Sequence, residues 1–106
     1  MNTETDIMNQ IRLAVSAAGH MVFRGNVGKV RTVDGRWFST GLPDGFSDLF
    51  GFRKDDAKMF FIEVKTPTGK LRKDQVRFLK AMYERGAIVG VARSAEDALQ
   101  ILGEAK

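Results

Sequence analysis

Two short stretches hold polar residues that a strand does not ordinarily tolerate. In "FFIEVK", residues 60–65, Glu63 and Lys65 interrupt an apolar run. In "GLPDGFSDLF", residues 41–50, Asp44 and Asp48 stand four residues apart. Alternate residues of a strand share a face. Phe60, Ile62 and Val64 therefore form an apolar face, and Glu63 and Lys65 lie together on the other. The plain expectation is a water-facing surface pair. Pairing of the two stretches through 53–58 predicts a different setting, with Asp48 and Glu63 close together. Adjacent carboxylates repel, and burial makes their charged forms dearer still. A divalent cation resolves that conflict. Hard oxygen donors favour Mg²⁺ or Mn²⁺, with the Val64 carbonyl as a third ligand. Lys65 would orient the attacking water and stabilise charge on a phosphorane-like transition state. An acid pair, a metal and a lysine suit phosphodiester hydrolysis. Asp44, between Pro43 and Gly45, reads as a β-turn residue. The metal is assigned to Asp48, with Asp44 as the alternative.

Both stretches need elements to hold them. "TETD" predicts a helix from Thr3 to Ala18, with Thr3 as N-cap and Asp6 completing a box. Ile7, Ile11, Ala14, Val15 and Ala18 supply its apolar stripe, and Gly19 its stop. "HMVFRGN" predicts a short strand. "VDGRW" within 27–41 predicts a hairpin turning at Asp34-Gly35. Strands are expected over 45–52 and 59–65. A helix is expected from Arg72 to Arg85, then a buried strand over 87–92. A last helix opens at "SAED", 94–97. The expected order is α-β-β-β-β-α-β-α in a single domain, residues 1–106. The helix from Arg72 joins the strands 59–65 and 87–92 as parallel neighbours. The fold class is α/β, a mixed sheet flanked by helices.

Composition narrows the function classes. The 106 residues are 43% hydrophobic and carry a net charge of +4. That suits a globular chain with one modest core and permits a polyanionic partner. The chain has no cysteine and one histidine, His20. Disulfides, thiol nucleophiles and cysteine-based zinc sites are excluded. "GNVGKV" lacks the first glycine and the Ser/Thr of a P-loop. No apolar run approaches the ~18 residues of a membrane helix. The expectation is an intracellular, cytoplasmic protein with no membrane partner.

Basic residues mark where a polyanion would lie. Lys65, Lys70, Arg72, Lys73, Arg77, Lys80 and Arg85 fall within 65–85 and could track phosphates. Arg24, Lys29, Arg31 and Arg36 come from the hairpin region. Trp37 and Phe38 there would stack on unpaired bases or, on the favoured reading, belong to a core or dimer interface.

The segments "GFSDLFGF", "FFIEVK" and "GKLRKDQ" resemble the VRR-NUC domain of the PD-(D/E)XK nuclease superfamily, in its small stand-alone phage-type form. The likeness extends to the leading helix with Glu4, to "FRGNVG" and to "GAIVGVARSAEDAL". The G-x-L-x-x-x-Q spacing from Gly69 to Gln75 sharpens it. The usual "PD" is here "SD" at 47–48, while a literal "PD" stands at 43–44. The resemblance implies a restriction-endonuclease-like fold. It also implies that Asp48, Glu63 and the Val64 carbonyl bind the metal and that Lys65 is the catalytic lysine. Gln75 would sit near the metal, and Glu4 would reach it through a water. Glu4 could otherwise be a first-turn acid favoured by the helix dipole, and Gln75 could snorkel to solvent. The implied activity is a Mg²⁺- or Mn²⁺-dependent DNA endonuclease, a homodimer selective for branched DNA such as Holliday junctions. The alternative is a non-catalytic DNA-binding module on the same fold.

Overall fold

The computed structural model describes residues 3–104, with backbone alone at positions 29 and 30. Helix α1, Glu4–Ala17, opens on a reciprocal cap. Thr3 Oγ1 accepts from the Asp6 N–H at 3.1 Å, and Asp6 Oδ2 accepts from the Thr3 N–H at 3.1 Å. These bonds satisfy two N–H groups that a helix start leaves unpaired. The apolar stripe buries Ile7, Met8, Ile11 and Val15.

Six strands follow: β1 (Met21–Arg24), β2 (Lys29–Arg31), β3 (Trp37–Ser39), β4 (Leu49–Phe52), β5 (Met59–Val64) and β6 (Ile88–Ala92). Helix α2 (Lys73–Glu84) lies between β5 and β6, and α3 (Ala95–Ile101) closes the described chain. Counting the hairpin β2–β3 as two strands gives five before α2. The main sheet runs β1-β4-β5-β6, antiparallel except for the parallel pair β5–β6. That parallel pairing is the one α2 was expected to create by crossing over.

Strand β4 is shorter than the sequence suggests. Residues 45–48 are a turn and a bend, because Gly45 adopts φ +86° and the chain reverses over Asp44–Gly45. The Phe46 N–H closes that turn on the Pro43 carbonyl at 3.2 Å. A Cβ at Gly45 would lie 2.4 Å from the Asp74 carbonyl oxygen, so the turn packs against the first turn of α2 only as glycine. Strand β6 is half-buried rather than buried, since it forms an edge of the sheet.

The two faces of β5 differ. Phe60, Ile62 and Val64 join Leu49, the α1 stripe, Ala92, Ala98 and Leu102 in the core. Phe61 turns to the other face, where its ring meets Phe78 of α2 at 5.4 Å and Phe46 at 5.9 Å. Helices α1 and α3 thus cover one face and α2 the other. His20 is buried at the end of α1. Its Nδ1 accepts from the Lys54 N–H at 3.1 Å, and its Nε2 meets Glu104 at 2.7 Å. This histidine holds the β4–β5 turn and, among the described residues, belongs to no group of three potential metal-ligating side chains. Arg53 secures the same turn through Asp56 and the Leu102 carbonyl.

Gly51 fixes how closely β1 approaches β4. A Cβ there would stand 1.8 Å from the Met21 carbonyl oxygen. Gly51→Ala is expected to destabilise the fold by about 3 kcal/mol by prising β1 off the sheet. A urea-unfolding midpoint equal to that of the parent chain would contradict this.

Candidate active site

The register of β4 on β5 builds the site. Leu49 faces Ile62, so Asp48, one residue before β4, falls beside Glu63. Backbone bonds fix both carboxyl groups. The Asp48 N–H donates to Glu63 Oε1 at 3.2 Å, and the Val64 N–H donates to Asp48 Oδ2 at 2.8 Å. Ser47, fully buried, donates from Oγ to the Leu49 carbonyl at 2.8 Å and braces the bend that carries Asp48.

Glu63 is only 2% exposed, and Lys65 only 9%. They are therefore not a water-facing surface pair. Their face is roofed by α2 and by the cluster of Phe46, Phe50, Phe61 and Phe78. Gln75 is also buried and does not snorkel. Its Nε2 donates to Glu63 Oε2, while its Oε1 accepts from the Arg72 N–H at 2.9 Å. One side chain thus joins the acid to the N-terminus of α2.

Burial foremost, and then the charge of Asp48, pushes the Glu63 carboxyl up to about 8. The Lys65 charge pulls the other way and is outweighed. An acid pair held together against its own repulsion is a site that a cation would relieve. Among the described residues, no group of three Asp, Glu, His or Cys side chains converges. The available donors are two carboxylates and the Val64 carbonyl. That carbonyl points to the Asp48 side, because N–H and C=O of one strand residue share a side. Mg²⁺ suits so short a donor set, since it keeps several waters and takes few carboxylates.

A cavity of about 600 Å³ opens over these groups, lined by Asp48, Glu63, Lys65 and Gln75, with Glu4 and Phe38 at its walls. Glu4 also borders a smaller recess with Asp48 and Val64. Asp44 is exposed in its turn and does not line the cavity. Of the basic candidates, Arg24 and Arg72 border the cavity. Lys70, Lys73, Arg77 and Arg31 are exposed away from it. The Lys29 side chain lies outside the described ones.

Arg93 was not singled out from the sequence, where it reads as one more basic residue after a strand. Its guanidinium donates to the Thr66 carbonyl and, at 2.7 Å, to the Gly69 carbonyl. It thereby pins the loop that leaves Lys65 and enters α2. The Lys65 N–H is itself bonded to the Ala92 carbonyl at 3.1 Å.

A mixed sheet with one parallel pair, helices on both faces and the sequence order above define the restriction-endonuclease-like α/β class. Within it, a family model for the VRR-NUC domain matches residues 18–96, and the chain belongs to that family. A solved structure described as a VRR_NUC domain superposes with a TM-score of 0.66 at 22% identity, covering 97% of each chain. No curated protein sequence matches. The chain is a nuclease-fold, DNA-acting module. Among the described residues, no helix is long and apolar enough to cross a membrane.

Proposed function

We propose that this chain is a Mg²⁺- or Mn²⁺-dependent endonuclease that hydrolyses phosphodiester bonds in branched DNA, such as a Holliday junction, as a homodimer. The observation that carries the reading is the juxtaposition of half-buried Asp48 with buried Glu63 at a cavity that Lys65 also lines. Asp48, Glu63 and the Val64 carbonyl would hold the cation. When bound, the cation supplies Lewis-acid neutralisation of the phosphate and makes water nucleophilic at neutral pH. Lys65 presents its ammonium to the phosphate and stabilises the charge that develops there. Gln75 keeps Glu63 oriented through its amide. Glu4 stands across the cavity as a further acceptor for water. Attack in line on phosphorus releases the 3′ oxygen and leaves a 5′-phosphate. Membership of the VRR-NUC family supports nuclease chemistry. The junction preference and the dimer rest on the resemblance noted above.

The test compares linear duplex, flap, splayed arm and four-way junction with Mg²⁺, Mn²⁺ or EDTA. The expected result is metal-dependent cutting, fastest on the junction, by protein that sediments as a dimer. Binding without cutting in every metal would replace this reading with a non-catalytic DNA-binding module.

A further inference from the structure

The hairpin β2–β3 stands apart from the main sheet, its strands pairing only with each other. Its turn falls one residue earlier than expected, on Val33 and Asp34, closed by the Gly35 N–H on the Thr32 carbonyl at 3.0 Å with Gly35 at φ +87°, and Arg36 pairs with Asp34 at 2.9 Å. Trp37 is 64% exposed and Phe38 57%, so neither is a core residue. A fold that gathers Phe46, Phe50, Phe61 and Phe78 into one cluster leaves these two rings uncovered.

Two observations point to what covers them. The first is continuity with the candidate active site. Phe38, Gly28 and Thr40 line the same cavity as Asp48, Glu63 and Lys65. The hairpin base is closed there by the Thr40 N–H on the Gly28 carbonyl at 3.0 Å. The base of the hairpin is thus one wall of the cavity, and an occupant of the cavity lies beside it. The second is charge. Arg31 lies over the Trp37 ring at 5.3 Å, and Arg24 borders the cavity beside it. A second copy docked through this face would set like charges together. A polyanion with flat apolar faces meets both demands. Bases inside an intact duplex already have both faces stacked, so only unpaired bases are free to accept an aromatic ring.

We propose that the hairpin stacks Trp37 and Phe38 on unpaired bases flanking the phosphate in the cavity, so that single-stranded character beside the cut is what this surface recognises. The inference rests on the DNA reading above and names its substrate feature.

Trp37 is the only tryptophan in the chain, so its emission reports on this hairpin alone. Emission would be followed in EDTA, where the proposed chemistry is silent. Matched duplex and the same duplex with a central bubble would be titrated, with anisotropy of labelled DNA measuring binding in parallel. The expected result is a saturable change of Trp37 emission with the bubble and none with the matched duplex. Phe38→Ala should bind the bubble roughly tenfold more weakly. An equal response to both DNAs, or binding by anisotropy with no change at Trp37, would overturn the inference. So would an emission change that follows protein concentration without DNA, which would assign the hairpin to self-association. Selective bubble binding with no cutting in any metal would support the hairpin assignment while sinking the nuclease reading.

Discussion

Lys65→Met is expected to slow cutting of a four-way junction by about 10²–10³-fold while leaving the fold intact. Methionine preserves most of the buried stem and removes only the ammonium. Lys65 is 9% exposed, its N–H is fixed on Ala92, and the loop beyond it is pinned by Arg93. The charge therefore meets the cavity already oriented, which is where electrostatic stabilisation is worth most. Glu63→Ala should lose at least as much, because it removes a proposed metal donor and the group that Gln75 anchors. Single-turnover rates on saturating junction are the measurement, with affinity in EDTA as the control. If Lys65→Met cuts at the parental rate, the lysine has no catalytic role.

The second expectation concerns stability. Mn²⁺ at about a hundredfold excess over its dissociation constant should stabilise the protein by about 2.7 kcal/mol. For a chain of this size that corresponds to a rise of roughly 10–20 °C in the unfolding midpoint. The cause lies in the geometry: two carboxyl groups, Asp48 and the buried Glu63, are fixed side by side by strand register and backbone bonds. At neutral pH burial and the Asp48 charge keep a proton on Glu63, and a cation between the two groups would take that proton's place in the folded state alone, since the unfolded chain lets them separate. Asp48→Ala should abolish the response, and Asp44→Ala should leave it whole. Equal metal shifts in parent and Asp48→Ala would show that the ion binds elsewhere. This readout needs no DNA and no turnover, so it tests the donor set independently of activity.

The elements were legible because their signals are local. Thr3 and Asp6 mark a helix start by a bond that spans three residues, and Asp34-Gly35 marks a hairpin by turn chemistry alone. Alternation along 60–65 gave the two faces of β5 correctly. It could not say that the polar face is buried, because that depends on α2 and four phenylalanines arriving from 46 to 78. The same limit applies to the bend at 45–48. Its apolar residues read as strand, yet the close approach of Gly45 to Asp74 breaks the ladder there. Arg93 and Ser47 left no trace in the sequence. Each works through backbone carbonyls, of which every residue has one, so no partner type announces the contact. Trp37 and Phe38 show the reverse limit for the core half of their reading: apolar character argued for a core, whereas a lone two-stranded ribbon has no second layer of its own chain against which to bury them.

Internal commitments of the arginines set how the protein should respond to ionic strength. Arg93 is spent on two loop carbonyls, Arg53 on Asp56 and the Leu102 carbonyl, and Arg36 on Asp34. The seventeen lysines and arginines therefore overstate the phosphates the surface can neutralise. Each neutralised phosphate of a duplex contributes about −0.9 to the logarithmic salt slope. Counterion release should accordingly be counted first over Arg24 and Lys65 at the cavity and Arg31 on the hairpin, with the exposed bases of α2 adding only where the DNA runs beyond the cavity. The complex would loosen gradually as salt rises, and its grip would depend more on shape and stacking than on overall basicity.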